Sequence, residues 1–507
     1  MKIKRIIALL MVLTFAIPLV ACQSTEQGTQ APSTAGLPET PGTSEETAPS
    51  TKAEIPTYDT PLKSGTYEVK HNATGTIFGS DKYGAVSYGD AIQYSQVSID
   101  WVVNKGEAYY RLGLFGIEQK KHKESQKIFE NIEVLKCVAV KQAKTGAPVG
   151  EDHDSLSQTA QMWKLYPNDD GTFCIASALR PTKSRLGVVD GKIVLLDYKE
   201  GDDLTNLKWS FTSKSTDNPI YYEYVSEKGN AIVRVPRDVF ESKNYTAAFD
   251  KDTGKVETYA PTPETLQQYA ENVQLTYDTY VELTNFIPYN VIIVHGYNYQ
   301  GVMAGVVGGN NNVFVNCGPG EWFYSDLMKM EYRMTKLGKN DVNFMVLHEI
   351  GHMFDFDRGW NFESEMEADL KAAYLLHTVE GSYAAPAEYE RGTCFSTDIG
   401  TKGYNGLSGG AMTTKYSIYR NAEIFTALCA NETGWEALKK TFHWFQSEEG
   451  KSQCSSSEDR YTKFKTFVDK LSEFGGTDLW SKFNSMELAV LEKEFGKPEE
   501  TEEPAGE

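Results

Sequence analysis

Cysteine is scarce in this chain and never clustered: 507 residues carry seven, at 22, 137, 174, 317, 394, 429 and 454, with no C-x-x-C pair. That spacing excludes a cysteine-built zinc ribbon and gives no disulfide framework to read. Several of the seven sit in apolar strings, where a reduced cysteine behaves as a small core residue. Positive charge is also in deficit, with 50 Lys and Arg against 70 Asp and Glu and a net charge of −20. Nucleic acid and anionic membrane surfaces are excluded as partners on that balance. Long apolar runs are missing too, since the stretch from Ile6 to Val20 is too short for a confident membrane span. Histidine numbers only eight. The length permits two or three domains with separate cores.

What the chain does have begins at its first residues. Lys2, Lys4 and Arg5 precede the apolar run, and Leu19-Val-Ala-Cys22 follows it at once. Charged start, apolar run and L-V-A-C resemble a bacterial lipoprotein signal over 1–22, which implies cleavage before Cys22 and lipidation of its thiol. The mature protein would then sit on the extracellular face of a bacterial cytoplasmic membrane, touching it through the lipid anchor only; plain secretion is the alternative. Residues 23–58 are rich in Ser, Thr, Pro, Gly and Glu and nearly devoid of large apolar side chains, so they read as a flexible tether. The last residues, 496–507, read as an acidic disordered tail.

Two of the eight histidines stand four residues apart in His348-Glu349-Ile350-Gly351-His352. On an α-helix such residues lie one above the other, so both imidazoles can reach a single ion, and Glu349 beside the first can act on water held there. This pattern predicts a zinc hydrolase. The preceding Asp341-Val-Asn-Phe-Met-Val-Leu347 starts with an N-capping residue and turns apolar, as suits a buried helix. After the turn-like Phe354 to Trp360, residues Asn361 to His377 read as a second helix carrying Glu363, Glu365 and Glu367. Glu365 and Asp369 are four apart and share a face, so one can bind zinc while the other holds a ligand histidine. On that geometry Glu365 is the chosen third ligand; Glu363 and Glu367 stay open as alternatives.

Glu-x-x-x-Asp after H-E-x-x-H is similar to the gluzincin peptidases, in which the helical Glu is the third ligand. The string His348 to His352, then Trp360-Asn-Phe-x-x-Glu365 to Leu370-x-x-x-Tyr374, looks most like the enhancin-like, mucin-degrading metallopeptidases, family sixty in the usual numbering. Two positions depart from that family: Asp369 stands where many members have Asn, and Met353-Phe354 where they have an Asn-aromatic pair. The resemblance implies zinc held by His348, His352 and Glu365, with Glu349 activating a zinc-bound water.

Upstream, Thr262-Pro263-Glu264 is a strong helix start, and the helix is expected to run to about Leu283. Tyr289 to His295 reads as a buried strand. Asn312 to Asn316, after a Gly-rich approach from Gly301 to Gly309, resembles the gluzincin edge strand that pairs with substrate. Downstream, 421–430, 435–445 and 461–474 are helical in pattern and would form the other cleft wall. Tyr404, Tyr416, Tyr419 and His443 are candidates for oxyanion stabilisation there, with a packing or surface role as the default reading of each and none chosen as a site residue. His295 and His377 are read as structural.

Residues 59–235 differ in texture, with short β-rich runs between turn signals. Three segments recur: Ile99-Asp-Trp101 before Gly106 to Leu112, Gln161-Met-Trp163 before Gly171-Thr-Phe-Cys-Ile175, and Leu207-Lys-Trp209 before Ile220 to Tyr224. Gln-x-Trp followed by Gly-x-aromatic-x-aliphatic resembles the ricin-type β-trefoil, a carbohydrate-binding module. In that family the motif's Trp is a core residue, so Trp101, Trp163 and Trp209 are fold markers, not sugar contacts.

The combined expectation is a multidomain protein: an all-β, β-trefoil-like module over 59–235, a linker over 236–261, and an α+β gluzincin zinc-metallopeptidase domain with a helical C-terminal part over 262–495. It would be a surface-anchored zinc metalloendopeptidase acting on glycoproteins such as O-glycosylated mucins, with a glycan as the ligand of the first module. The alternative is a glycan-binding surface adhesin whose peptidase-like domain is inactive.

Overall fold

The computed structural model describes residues 57–121, 128–153, 158–217, 221–241, 248–250, 255–257, 262–297, 304–306, 309–316, 342, 344–355, 358–379, 432–482, and then 485, 488–489, 492 and 495. The signal-like start, Cys22, the 23–56 part of the tether, Asp341, Tyr404, Tyr416, Tyr419, 421–430, Cys317, Cys394, Cys429 and the 496–507 tail lie outside the described residues.

Twelve strands build the first part: β1 (Gly65–His71), β2 (Gly79–Ser80), β3 (Val86–Ser87), β4 (Val97–Asn104), β5 (Glu107–Lys121), β6 (Ile128–Val140), β7 (Val149–His153), β8 (Trp163–Pro167), β9 (Phe173–Ser177), β10 (Ser184–Val189), β11 (Lys192–Asp197) and β12 (Lys208–Ser215). Six of them close a ring in the order β4, β1, β12, β9, β8, β5, with β5 pairing back to β4. The other six form three hairpins, β2–β3, β6–β7 and β10–β11. Closure gives each of these six strands a partner on both sides. Alternation along the strands turns Tyr67, Val69, Ile99, Leu112, Leu165 and Ile175 into one core.

Trp163 and Trp209 are fully buried, and each indole N–H donates to a carbonyl of a hairpin strand, Val138 O at 3.1 Å and Leu186 O at 3.0 Å. Both are core markers, as the recurrence implied. Trp101 is only half-buried and packs against both this core and the next one. The third recurrence closes differently from its sequence reading. Trp209 on β12 pairs with β1, opposite His71, and β1 opens with Gly65-Thr66-Tyr67-Glu68-Val69, the counterpart of Gly171-Thr-Phe-Cys-Ile175. The ring thus joins its last strand to its first.

Two further strands, β13 (Tyr221–Val225) and β14 (Ala231–Pro236), leave the ring and enter a second sheet. After helix α1 (Arg237–Glu241), the hairpin β15 (Ala248–Asp250) with β16 (Lys255–Glu257), and helix α2 (Pro263–Thr284) come β17 (Ile292–Tyr297), β18 (Ala304–Val306) and β19 (Asn312–Asn316). The order is β13, β14, β17, β19, β18, with β14, β17 and β19 parallel and both edges antiparallel. Asn312–Asn316 is therefore an interior strand, and the edge is β18, formed by the Gly-rich approach itself. Gly305 explains why: a Cβ there would stand 2.5 Å from the Phe314 ring, so only glycine lets the edge strand close over it.

Helix α2 begins as its sequence demands, with the Thr262 hydroxyl accepting from Thr265 N at 3.2 Å and Pro263 in the first turn. It ends at Asn285, whose φ of 49° is left-handed. Its apolar face covers the second sheet through Leu266, Tyr269, Val273 and Tyr280. The remaining helices are α3 (Phe344–Met353), α4 (Ser364–Thr378), α5 (Glu432–Gln446), α6 (Glu448–Gln453) and α7 (Arg460–Gly475). Helices α5 and α7, with Trp360, Phe362, Leu370 and Cys454 just past α6, form a third core rich in aromatic rings. The architecture is thus a β-rich barrel followed by a mixed sheet and a helical C-terminal region. Among the described residues, no helix is long and apolar enough to cross a membrane.

Candidate metal centre

Helix α3 is held from behind. Leu347, Ile350 and Met353 enter the core beneath the second sheet, and the Tyr280 hydroxyl donates to Leu347 O at 3.0 Å. Phe354 is enclosed by the rings of Tyr277, Tyr280 and Phe286. Met353 and Phe354, which depart from the resembling family's pattern, are accordingly core residues here and line no cleft. With that face fixed, His348, Glu349 and His352 share the remaining side, each more than nine-tenths buried.

The two imidazoles converge. His348 Nε2 and His352 Nε2 lie 3.0 Å apart, with the rings nearly perpendicular at 87°. At that separation one nitrogen must donate a proton to the other, or both lone pairs must face a common cation. Zinc–nitrogen bonds of about 2.0–2.1 Å at a tetrahedral angle put two nitrogens about 3.3 Å apart. The pair is within a few tenths of an ångström of that arrangement before any ion is added.

Helix α4 crosses α3 at very short range. A Cβ on Gly351 would meet Ala368 Cα at 2.9 Å and Ala368 O at 3.0 Å, so glycine at this point of the motif sets the approach of the two helices. On α4, Glu365 stands three residues before Ala368 and Asp369 four residues after Glu365. The side chains of Glu365, Asp369 and His377 lie outside the described residues. Among the described residues, no third His, Cys, Asp or Glu completes a set of three around the pair.

The other two acidic candidates on this segment are engaged elsewhere. Glu363 caps α4 and pairs with Arg460 on α7. Glu367 is fully buried, and its Oε1 accepts from Phe362 N at 2.9 Å, closing the turn that precedes the helix. This turn delays the helix start to Ser364, three residues beyond its sequence reading. Burial, and then the nearby Asp355 carboxylate, push Glu367 well above the ordinary carboxylate range, while Lys371 pulls the other way.

Asp355 and Lys371 lie beside the histidine pair, a placement that spacing did not single out. Both are fully buried, the Lys371 ammonium pairs with Asp355 Oδ1, and Lys371 also donates to Glu367 O at 3.1 Å. Asp355 Oδ2 lies 3.8 Å from His352 Nδ1. The signal was present only in part: Asp355 is three residues after a ligand histidine, but its lysine partner comes from the next helix.

No known family model and no curated protein matches this sequence. Among solved structures, the chain is similar to a metallopeptidase from Bacteroides thetaiotaomicron, with 12% identity over 64% of this chain and 56% of that one and a TM-score of 0.30. It is also similar to the M1 zinc metallopeptidase from Deinococcus radiodurans, with 11% identity over 80% of this chain and 87% of that one and a TM-score of 0.28. The β-trefoil BEL matches 30% of this chain over 96% of its own length, at 12% identity and a TM-score of 0.21. The chain spans 33% and 25% of the length of two further matched structures.

The remaining histidines of interest are occupied away from the pair. His443 on α5 contacts Glu282 O at 2.8 Å and so ties α5 to the end of α2. His295 on β17 is buried edge-on against Tyr221, and burial, followed by the charges of Arg234 and Arg111, holds it well below the ordinary imidazole range. Cys137, Cys174 and Cys454 are buried cysteines. For zinc, the donor set fits: two converging imidazole nitrogens, a buried carboxylate between them in sequence, and an acidic residue placed on the crossing helix.

Proposed function

We propose that this chain is a zinc-dependent metalloendopeptidase of the gluzincin kind. The observation that carries the reading is the 3.0 Å convergence of His348 Nε2 and His352 Nε2 on a helix that also carries the buried Glu349. His348 and His352 would hold the ion through Nε2, and Glu365 would complete the set from α4. When bound, zinc supplies a Lewis acid that polarises the scissile carbonyl and acidifies water near neutral pH. Glu349 takes the proton from the attacking water and returns it to the leaving amine. The strand β18, antiparallel to β19, lies against α3 and is where an extended peptide would add.

The finer reading follows from the first part of the chain. A six-stranded closed ring with three hairpins, and Trp101, Trp163 and Trp209 on β4, β8 and β12, support a β-trefoil of the ricin type. A glycan-binding module fused to a peptidase favours glycoproteins, mucin-like ones included, as substrates. Leu19-Val-Ala-Cys22 supports lipid anchoring outside the cell. Against the inactive adhesin reading stands the retention of Glu349, buried beside both ligands.

The test is purified protein incubated with an O-glycosylated mucin, beside a Glu349→Gln variant, with zinc content measured on both. Equal zinc with cleavage slowed by about 10²–10⁴-fold in the variant is the expected result. Equal cleavage by both proteins, or a parent that holds no zinc, would sink the peptidase reading.

A further inference from the structure

We propose that Asp355 is the positioning residue of His352, accepting its Nδ1–H through Oδ2 while Lys371 clamps the other carboxylate oxygen from α4. The inference rests on the zinc reading above and names what holds one of its ligands.

Four observations carry it. Asp355 is fully buried one turn beyond His352, with its backbone N–H on His352 O at 3.1 Å, so the side chain cannot swing into solvent. Oδ1 is taken by the Lys371 ammonium, itself fully buried. Oδ2 has no hydrogen-bond partner among the described residues and lies 3.8 Å from His352 Nδ1. The opposite ring nitrogen, Nε2, is the one that faces His348.

An imidazole can offer Nε2 to a metal only if its proton sits on Nδ1, and a carboxylate facing Nδ1 enforces that tautomer. A buried oxygen without a partner costs stability. A small rotation of the ring closes 3.8 Å to the range of a charge-assisted hydrogen bond. Lys371 prevents the carboxylate from turning away and balances its charge in the core. The arrangement also assigns the metal-free pair: His352 Nε2 accepts, and His348 Nε2 carries the proton between the rings.

Two measurements test this. The first is the ¹⁵N NMR tautomer of His352 in the metal-free parent, which needs no variant; Nδ1-protonated is expected, and an Nε2-protonated ring overturns the proposal. The second is the zinc Kd of Asp355→Asn against a competing chromophoric chelator, with the fold of the metal-free variant checked by circular dichroism. A loss of about 10- to 100-fold is expected, and a folded variant with parental affinity overturns the proposal. If Asp355→Asn does not fold, the tautomer decides alone. A parent that binds no zinc refutes the metal centre, and the tautomer still reports whether Asp355 orients the ring.

Discussion

Gly351→Ala tests how the two helices of the centre are held together. In an isolated helix this substitution gains about 1 kcal/mol, because glycine is a poor helix former. Here the new methyl would stand 2.9 Å from Ala368 Cα, 3.0 Å from Ala368 O and 3.2 Å from Ala368 Cβ. Carbon contacts are comfortable at about 3.5–4.0 Å, and two of the three atoms are backbone that no rotamer change can move. The helices must part by about 0.5–1 Å. Overpacking of that kind costs about 1–3 kcal/mol, so the steric term outweighs propensity and a net loss of about 0–2 kcal/mol follows. Parting α3 from α4 also separates the histidine pair from the helix that would supply the third ligand, and a misplacement near 1 Å can cost about 10²-fold in activity. Urea unfolding of the metal-free protein, zinc Kd and peptidase kcat/KM would be measured. Gly475→Ala is the control, since a Cβ there meets only Ala437 Cβ, at an ordinary 3.6 Å. A Gly351→Ala variant stabilised by the full propensity gain, with parental zinc affinity, would refute the close approach.

Two further outcomes follow from buried charges. Glu367 holds its proton in the fold far above the value of an unfolded glutamate, so the native state binds more protons than the unfolded chain and stability falls as pH rises from about 4.5 towards the folded pKa. Glu367→Gln keeps an acceptor for Phe362 N and removes this loss, so its stability relative to the parent should climb over that window in urea titrations at stepped pH; a pH-independent difference contradicts the assignment. Arg234, fully buried, donates to Asp100 at 2.6 and 2.8 Å and to Glu223 at 2.7 Å. Arg234→Met strands the Asp100 carboxylate and should cost about 3–5 kcal/mol, of which Asp100→Asn in the same chain returns a part; additive losses would show that the two do not interact.

Much of this was legible in the sequence where the signal is local. The histidine pair needs only helical spacing, and α2 announces itself through Thr262, Pro263 and Glu264. Trp163 and Trp209 marked the barrel through their recurring pattern, while the acceptors of their indoles, Val138 O and Leu186 O, lie on hairpin strands outside that pattern. Features that depend on chain return were not legible. The partner of the third Trp segment is β1, more than a hundred residues upstream, and the Gly-Thr-Tyr-Glu-Val string that would have revealed it sits before the first repeat rather than after the last. The interior position of β19 turns on a hairpin within the Gly-rich stretch. Lys371 is unremarkable in sequence, and its pairing with Asp355 exists only because α4 crosses α3 at glycine-limited distance.

The barrel and the second sheet are joined at a point that bears on the cleft. The β4–β5 hairpin turns on Lys105 and Gly106, with φ of 51° and 79°, which suits a two-residue turn with both central residues left-handed. Its tip lies on the start of β19: Lys105 N donates to Gly309 O at 2.8 Å, and Val103 N to Asn311 Oδ1 at 3.0 Å. Asn310, Asn311 and Asn312 are all fully buried there, and Asn311 also donates to Val291 O at 3.2 Å. Val103 belongs to the core of the second sheet even though its strand is part of the ring. β19 in turn pairs with β18, the edge strand beside α3. The β4–β5 tip is therefore hydrogen-bonded to the start of β19, the strand that pairs with β18 beside α3.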